Sequence, residues 1–401
     1  MSDVAWLLTE PLWVRVLGYL PVPDMLEARV TSLGMPVLAE RAAAGLVRSA
    51  RSRPLQPLGA CEPGMRWLRA LAQVYGPQRL VAVGGYNSEW NDHETVYQSD
   101  DGDGCEKSAE VVCGLHESTI CGGWQGRLPC MASHRADLAV ACGDECLTLY
   151  AVGGRHGEHR HASVECLDIL SWQLGGTSWL PFAPMRQGRS GHVAEVLCGR
   201  LFAAGGRGEA GVLQDVEACD LADPSGEWAP LPAMSEPREY AASAVLGGEL
   251  WVMGGMGRSS VARSKSVEIL DTAMGIWHPG PDMSMPRMGA GGVAHAGRIF
   301  VVGGSSHFGR KQLTTLESLD PREGTWQCHT LPTPGGPGYH SSLWGCGVAA
   351  HGPALFLCGG TFRESEESQT TIFRIDLRTM SVDTLDRFAS DIPGVGPGRL
   401  Q

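Results

Sequence analysis

Apolar residues along this chain gather into short runs that repeatedly end in two glycines. The runs are Leu80–Gly85 (LVAVGG), Leu149–Gly154 (LYAVGG), Leu201–Gly206 (LFAAGG), Leu250–Gly255 (LWVMGG), Ile299–Gly304 (IFVVGG) and Leu355–Gly360 (LFLCGG). Their first glycines are 69, 52, 49, 49 and 56 residues apart, a period typical of radial β-arrays. Each run is short and continuously apolar, as expected of a strand covered on both faces. Other landmarks keep register with it. Arg135, Arg189, Arg238 and Arg287 each precede a short apolar segment, and each lies four residues after a Met, at 131, 185, 234 and 283. Strand-like segments end in Asp at 168, 220, 271 and 320, and Trp179, Trp228, Trp277 and Trp326 follow them. Gly, Pro and Asp punctuate the runs as turns.

The pattern predicts a mainly β fold in which four short strands make one antiparallel blade and six blades surround an axis as a β-propeller. The glycine pairs (Gly84, Gly85, Gly153, Gly154, Gly205, Gly206, Gly254, Gly255, Gly303, Gly304, Gly359 and Gly360) are structural here. They permit positive φ and close backbone approach. Trp179, Trp228, Trp277 and Trp326 offer apolar faces to a neighbouring blade. The end units depart from the rest. In unit one, the acidic stretch Asp101–Thr119 reads as a protruding loop, and in unit six Val382 stands where a Trp is due. Two closures of the ring remain open: unit one supplies its own first strand near Arg69, or that strand completes the last blade.

The N-terminus follows another rhythm. Leu12, Val16, Leu17 and Leu20 recur at helical spacing, Pro21 ends that helix, and Asp24 caps a second one from Met25. The expected domains are a small all-α segment at 1–50, a linker at 51–65, the propeller at 66–388 and a tail at 389–401.

The 401 residues carry a formal net charge of -12. That balance argues against nucleic acid or an anionic membrane as the main partner. No apolar stretch is long enough to cross a bilayer, and the N-terminus, with Asp3, Glu10 and Arg15, makes a poor secretory signal. The 13 cysteines then read as reduced thiols, which leads us to expect a cytoplasmic or nuclear protein.

The ordered series of Arg, apolar run, Gly-Gly, acidic-ended strand and Trp resembles the kelch repeat over roughly residues 66–388. That resemblance implies a kelch β-propeller. The stretch Tyr19–Leu26 (YLPVPDML) and the helix before it are similar to the F-box, although Thr31–Gly34 stands where a Cys-Lys-x-Trp element is usual. An F-box implies docking on a Skp-type adaptor and its cullin complex through Leu12, Val16, Leu17, Leu20, Pro21, Met25 and Leu26. Together they imply the substrate-recognition subunit of an SCF-type ubiquitin ligase. The alternatives are a plain kelch interaction scaffold, with the helices capping a blade, and a kelch-fold oxidase or sugar-processing enzyme.

Catalytic chemistry finds little support. Cys142 with Cys146 and the loop histidines His156, His159 and His161 are weak ligand signals. No cofactor or metal is expected, and no nucleophile–base motif has a fitting context. For target binding, the residues after the glycine pairs (Tyr86, Arg155, Arg207, Arg258) and those before the first strands (Arg135, Arg189, Arg238, Arg287, Tyr339) would form a cationic ring at one mouth of the propeller. The resemblance points to the pre-strand arginines. Such a ring suits an acidic peptide segment of an unknown target protein. The competing reading pairs each repeat Arg with its own blade's Glu165, Glu217, Glu268 or Glu317.

Overall fold

The computed structural model describes residues 78–86, 105–116, 119–121, 126–127, 131–143, 148–168, 178–223, 226–258, 263–307, 311–312, 314–332, 345–358 and 371–387. The expected helices at 1–50, the linker, the tail, Gly359, Gly360 and Tyr339 lie outside them. Among the described residues every regular element is a strand, and no helix is long and apolar enough to cross a membrane.

Five blades share one pattern, each a four-stranded antiparallel sheet with its strands in chain order. The first blade is Ala139–Cys142, Thr148–Val152, Val164–Asp168 and Leu180–Phe182. The second is Val193–Leu197, Arg200–Ala204, Val216–Asp220 and Ala229–Leu231. The third is Ala242–Leu246, Glu249–Met253, Val267–Asp271 and Ile276–Pro279. The fourth is Gly291–His295, Arg298–Val302, Thr315–Asp320 and Thr325–Thr330. The fifth is Gly347–His351, Ala354–Cys358, Thr371–Asp376 and Val382–Arg387. First strands of successive blades pack against one another, which makes the array a propeller. In the fifth blade Val382 faces Ile375, the register that Trp277 and Trp326 keep with Leu270 and Leu319.

The expectation of six such blades is corrected to five among the described residues. Unit one builds a different sheet. Gln78–Tyr86 pairs directly with Cys105–His116, and Thr119–Cys121 and Gly126–Arg127 both lie on the far side of that strand. The stretch expected as a protruding loop is therefore largely a strand of 12 residues. Val111 and Val112 supply strand-forming character that the acidic head at Asp101 and Asp103 masked in the sequence.

The core lies between blades rather than within them. Leu201 and Ala203 join Val152, Val164 and Phe182 of the first blade, while their strand neighbours Phe202 and Ala204 join Leu250, Val252 and Leu270 of the third. Two further clusters join the third blade to the fourth and the fourth to the fifth. A strand with both faces buried has no polar side, so its sequence is apolar without alternation. Full burial of each such Leu or Phe contributes roughly 1.5–3 kcal/mol.

A belt of backbone hydrogen bonds closes the inner end of the wedge. The N–H of Gly191 donates to Asp137 O, Tyr240 to Gly191 O, Gly289 to Tyr240 O and Gly345 to Gly289 O, all at 2.7–2.8 Å. All five residues have φ between 51° and 72°. This left-handed backbone turns each amide toward the preceding blade, and Gly adopts it most readily.

Candidate functional site

The repeat arginines explain why the glycine pairs and acidic strands keep register. Arg287 is 1% exposed and Glu317 0%. The Arg287 Nε donates to Glu317 Oε1 at 2.9 Å, and its Nη1 donates to the carbonyls of Gly303 at 2.8 Å and Thr315 at 3.2 Å. The other carboxylate oxygen accepts the Ser284 N–H at 2.7 Å. Arg135 with Glu165, Arg189 with Glu217 and Arg238 with Glu268 repeat the arrangement. The second glycine of each pair then reaches the next blade. Gly154 donates to Arg189 O, Gly206 to Arg238 O and Gly255 to Arg287 O. A Cβ on Gly254 would lie 2.5 Å from the Arg287 carbonyl oxygen, so no larger residue fits there.

These arginines are thus buried structural ties. The target-binding role expected of Arg135, Arg189, Arg238 and Arg287 is corrected, because a guanidinium sealed against a carboxylate and two carbonyls presents no face to a partner. Tyr86 ends the strand Gln78–Tyr86 opposite Cys105, with only its backbone described.

The mouth itself is built by the residue after each repeat Arg and the residue after each glycine pair. They bridge as Ala136 with Arg155, Ser190 with Arg207, Glu239 with Met256, and Met288 with Ser305. Met256, Met288 and Ser305 are buried. Arg155 and Arg207 are the partly exposed members, with side-chain exposures of 33% and 39%.

Arg155 Nε donates to Asp137 Oδ2 at 2.7 Å. Arg207 reaches across to the third blade and grips Glu239 with Nε at 2.7 Å and Nη2 at 2.6 Å. That fork raises the Arg207 pKa, chiefly through the hydrogen bonds. Tyr240 spans Gly191, whose missing Cβ leaves its ring room, and donates its phenol to Asp137. Burial, with Asp137 and Glu239 beside it, pushes the phenol pKa up, so it stays a neutral donor. Arg263 bridges to Met256, feels the Glu239 charge and is held below the usual arginine range mainly by desolvation. Arg258 is exposed two residues beyond Met256.

Thus Arg155, Arg207 and Arg258 do stand at this end of the molecule, joined by Arg263. Sequence reasoning missed Asp137, Glu239, Tyr240 and Arg263. Superposing the repeats after the Arg would have exposed two of them, since Asp137 and Tyr240 stand where Gly191 and Gly289 stand. Among the described residues, no three His, Cys, Asp or Glu side chains gather as a metal site.

The Kelch motif family matches residues 237–284 and 286–328, which cover the third blade and the fourth as far as Cys328. With the blade arrangement, these matches support a kelch-repeat propeller. No curated protein matches the chain.

Proposed function

We propose that this chain is a non-catalytic recognition subunit whose propeller mouth holds an acidic segment of a target protein. The kelch propeller itself points to a protein-binding role. The observation carrying the finer reading is the charge at the inner rim. Among the described residues, Arg155 pairs with Asp137 and Arg207 with Glu239, Arg263 feels the Glu239 charge, and Arg258 is exposed just outside. These four arginines outnumber the two carboxylates they adjoin, in a chain of net charge -12. Arginine forks engage carboxylates in two-point contacts, and a positive mouth on an acidic body selects acidic partners by steering.

The F-box-like Tyr19–Leu26 stretch extends the proposal. Residues 1–50 would dock a Skp-type adaptor, placing the chain in an SCF-type ubiquitin ligase with catalysis in its partner subunits. The test uses the full chain beside a full-length Leu17→Asp, Met25→Asp variant. Expected is capture of a purified Skp-type adaptor by the parent and not by the variant. A folded full-length chain that fails to capture the adaptor removes the ligase role and leaves a plain kelch interaction scaffold. For the mouth, fluorescence anisotropy with a labelled aspartate-rich peptide should show binding that weakens with salt. It should weaken several-fold in Arg258→Glu, and equal binding by parent and variant would count against this face.

A further inference from the structure

We propose that the first-blade side of the mouth is a pH-sensitive part of target recognition: four histidines gathered beside Arg155 and Arg160 add positive charge on acidification and tighten the grip on an acidic segment. The inference rests on the reading of the mouth as the target site. Its basis is a cluster that the fold does not require. His134 precedes Arg135, and a small hairpin after the glycine pair carries His156 and His159, with His161 just beyond it.

The His134 and His156 rings stack at 5.7 Å between centroids, and those of His159 and His161 meet edge-on at 5.3 Å. A ring nitrogen of His161 lies 3.1 Å from His134 O and ties the two pairs together. The matching places in the next two blades hold Gly188 and Pro237 for His134, and Leu213 and Ser264 for His161, none of which titrates. The histidines are therefore an addition to the repeat.

Among the described residues, the charged groups around the cluster are Arg135, Arg155 and Arg160 and the carboxylates of Asp137, Glu158, Glu165 and Glu209. Arg135 lies beneath His161, and Arg155 shares the hairpin with His156 while paired with Asp137. Arg160 flanks His159 and approaches Glu209 of the second blade at 4.0 Å. Glu158 and Glu209 are exposed, and Glu165 is committed to Arg135 and the N–H groups of Ala132 and Ser133. Burial, then Arg135 and His159, lowers the His161 pKa. Histidine ordinarily changes charge between pH 5 and 8. An anionic partner that arrives beside imidazoles favours their protonated form. Binding and proton uptake are then coupled reciprocally.

The test titrates the labelled aspartate-rich peptide against the full chain at pH 7.5 and 6.0, since aspartates stay ionised at both values. Tryptophan fluorescence confirms that the chain remains folded. The parent should bind about threefold or more tighter at the lower pH, as expected for a few screened charge pairs. His156→Gln, His159→Gln should lose most of the gain in affinity between pH 7.5 and 6.0. NMR titration of the histidine C2 protons should show their midpoints rising when peptide is present. Equal affinity at both pH values, or the same gain in the variant, overturns the pH element while leaving the mouth reading intact. No binding at either pH by a folded chain overturns the mouth reading and this inference together.

Discussion

His192 occupies a place where other blades carry Leu138, Ala241, Ala290 and Cys346. It is 6% exposed, and neither ring nitrogen has a hydrogen-bond partner among the described residues. Burial, with Arg189 nearby, drives its pKa well below the ordinary 6.5. The fold therefore holds the neutral ring, while an unfolded chain takes up a proton as pH falls through about 6.5. Stability from this group is intact above that value and is lost as pH drops from it toward the depressed folded value. We predict that His192→Leu removes two buried unsatisfied nitrogens and adds about 1 kcal/mol at neutral pH. That corresponds to a melting temperature higher by about 2–4 °C. The gain should widen below pH 6.5, and thermal melts at pH 7.5 and 5.5 check both parts. A variant less stable than the parent at both values would mean that the imidazole has an unrecognised partner.

At the scale of the element, the outer-strand tryptophans staple one blade to the one before. Trp228 Nε1 donates to Ala183 O at 2.7 Å, Trp277 to Pro232 O at 2.8 Å and Trp326 to Pro281 O at 2.8 Å. Trp326 is also buried in the cluster between the third and fourth blades. Trp326→Phe should keep most of the packing and lose the indole bond, a cost of about 1–2 kcal/mol in urea unfolding. A cost near zero would show that water replaces the indole without penalty. The strands, their acidic ends and the tryptophans were legible because burial on both faces imposes a fixed residue type at fixed spacing. The acidic ends serve the outer turns: Asp271 Oδ1 accepts the N–H groups of Ala273 and Met274, and Asp376 Oδ1 those of Arg378 and Thr379. What the repeat could not reveal was which way its arginines face. The same spacing suits a ring at the mouth and a tie inside the blade, and the buried glutamates decide for the tie. Asp137 and Tyr240 escaped notice because each is a single departure from a glycine place.

Across the whole molecule, the blades are coupled through shared layers instead of stacked as separate units. Among the described residues, each of four buried clusters draws on two adjacent blades, and the second, third and fourth blades each contribute to two clusters. The belt from Asp137 to Gly345 crosses all five blades at their inner ends. Coupling of this kind makes local damage spread. Leu319, 0% exposed between the third and fourth blades, is a direct probe, since Leu→Ala in such a site costs about 2–5 kcal/mol. Hydrogen exchange followed by mass spectrometry should then quicken in Val267–Asp271 of the third blade as well as in Arg298–Val302 of the fourth, because the two strands line the same cavity. Faster exchange confined to residues 291–330 would mean that the blades open one at a time, and the shared layers would then be contacts between independently stable sheets.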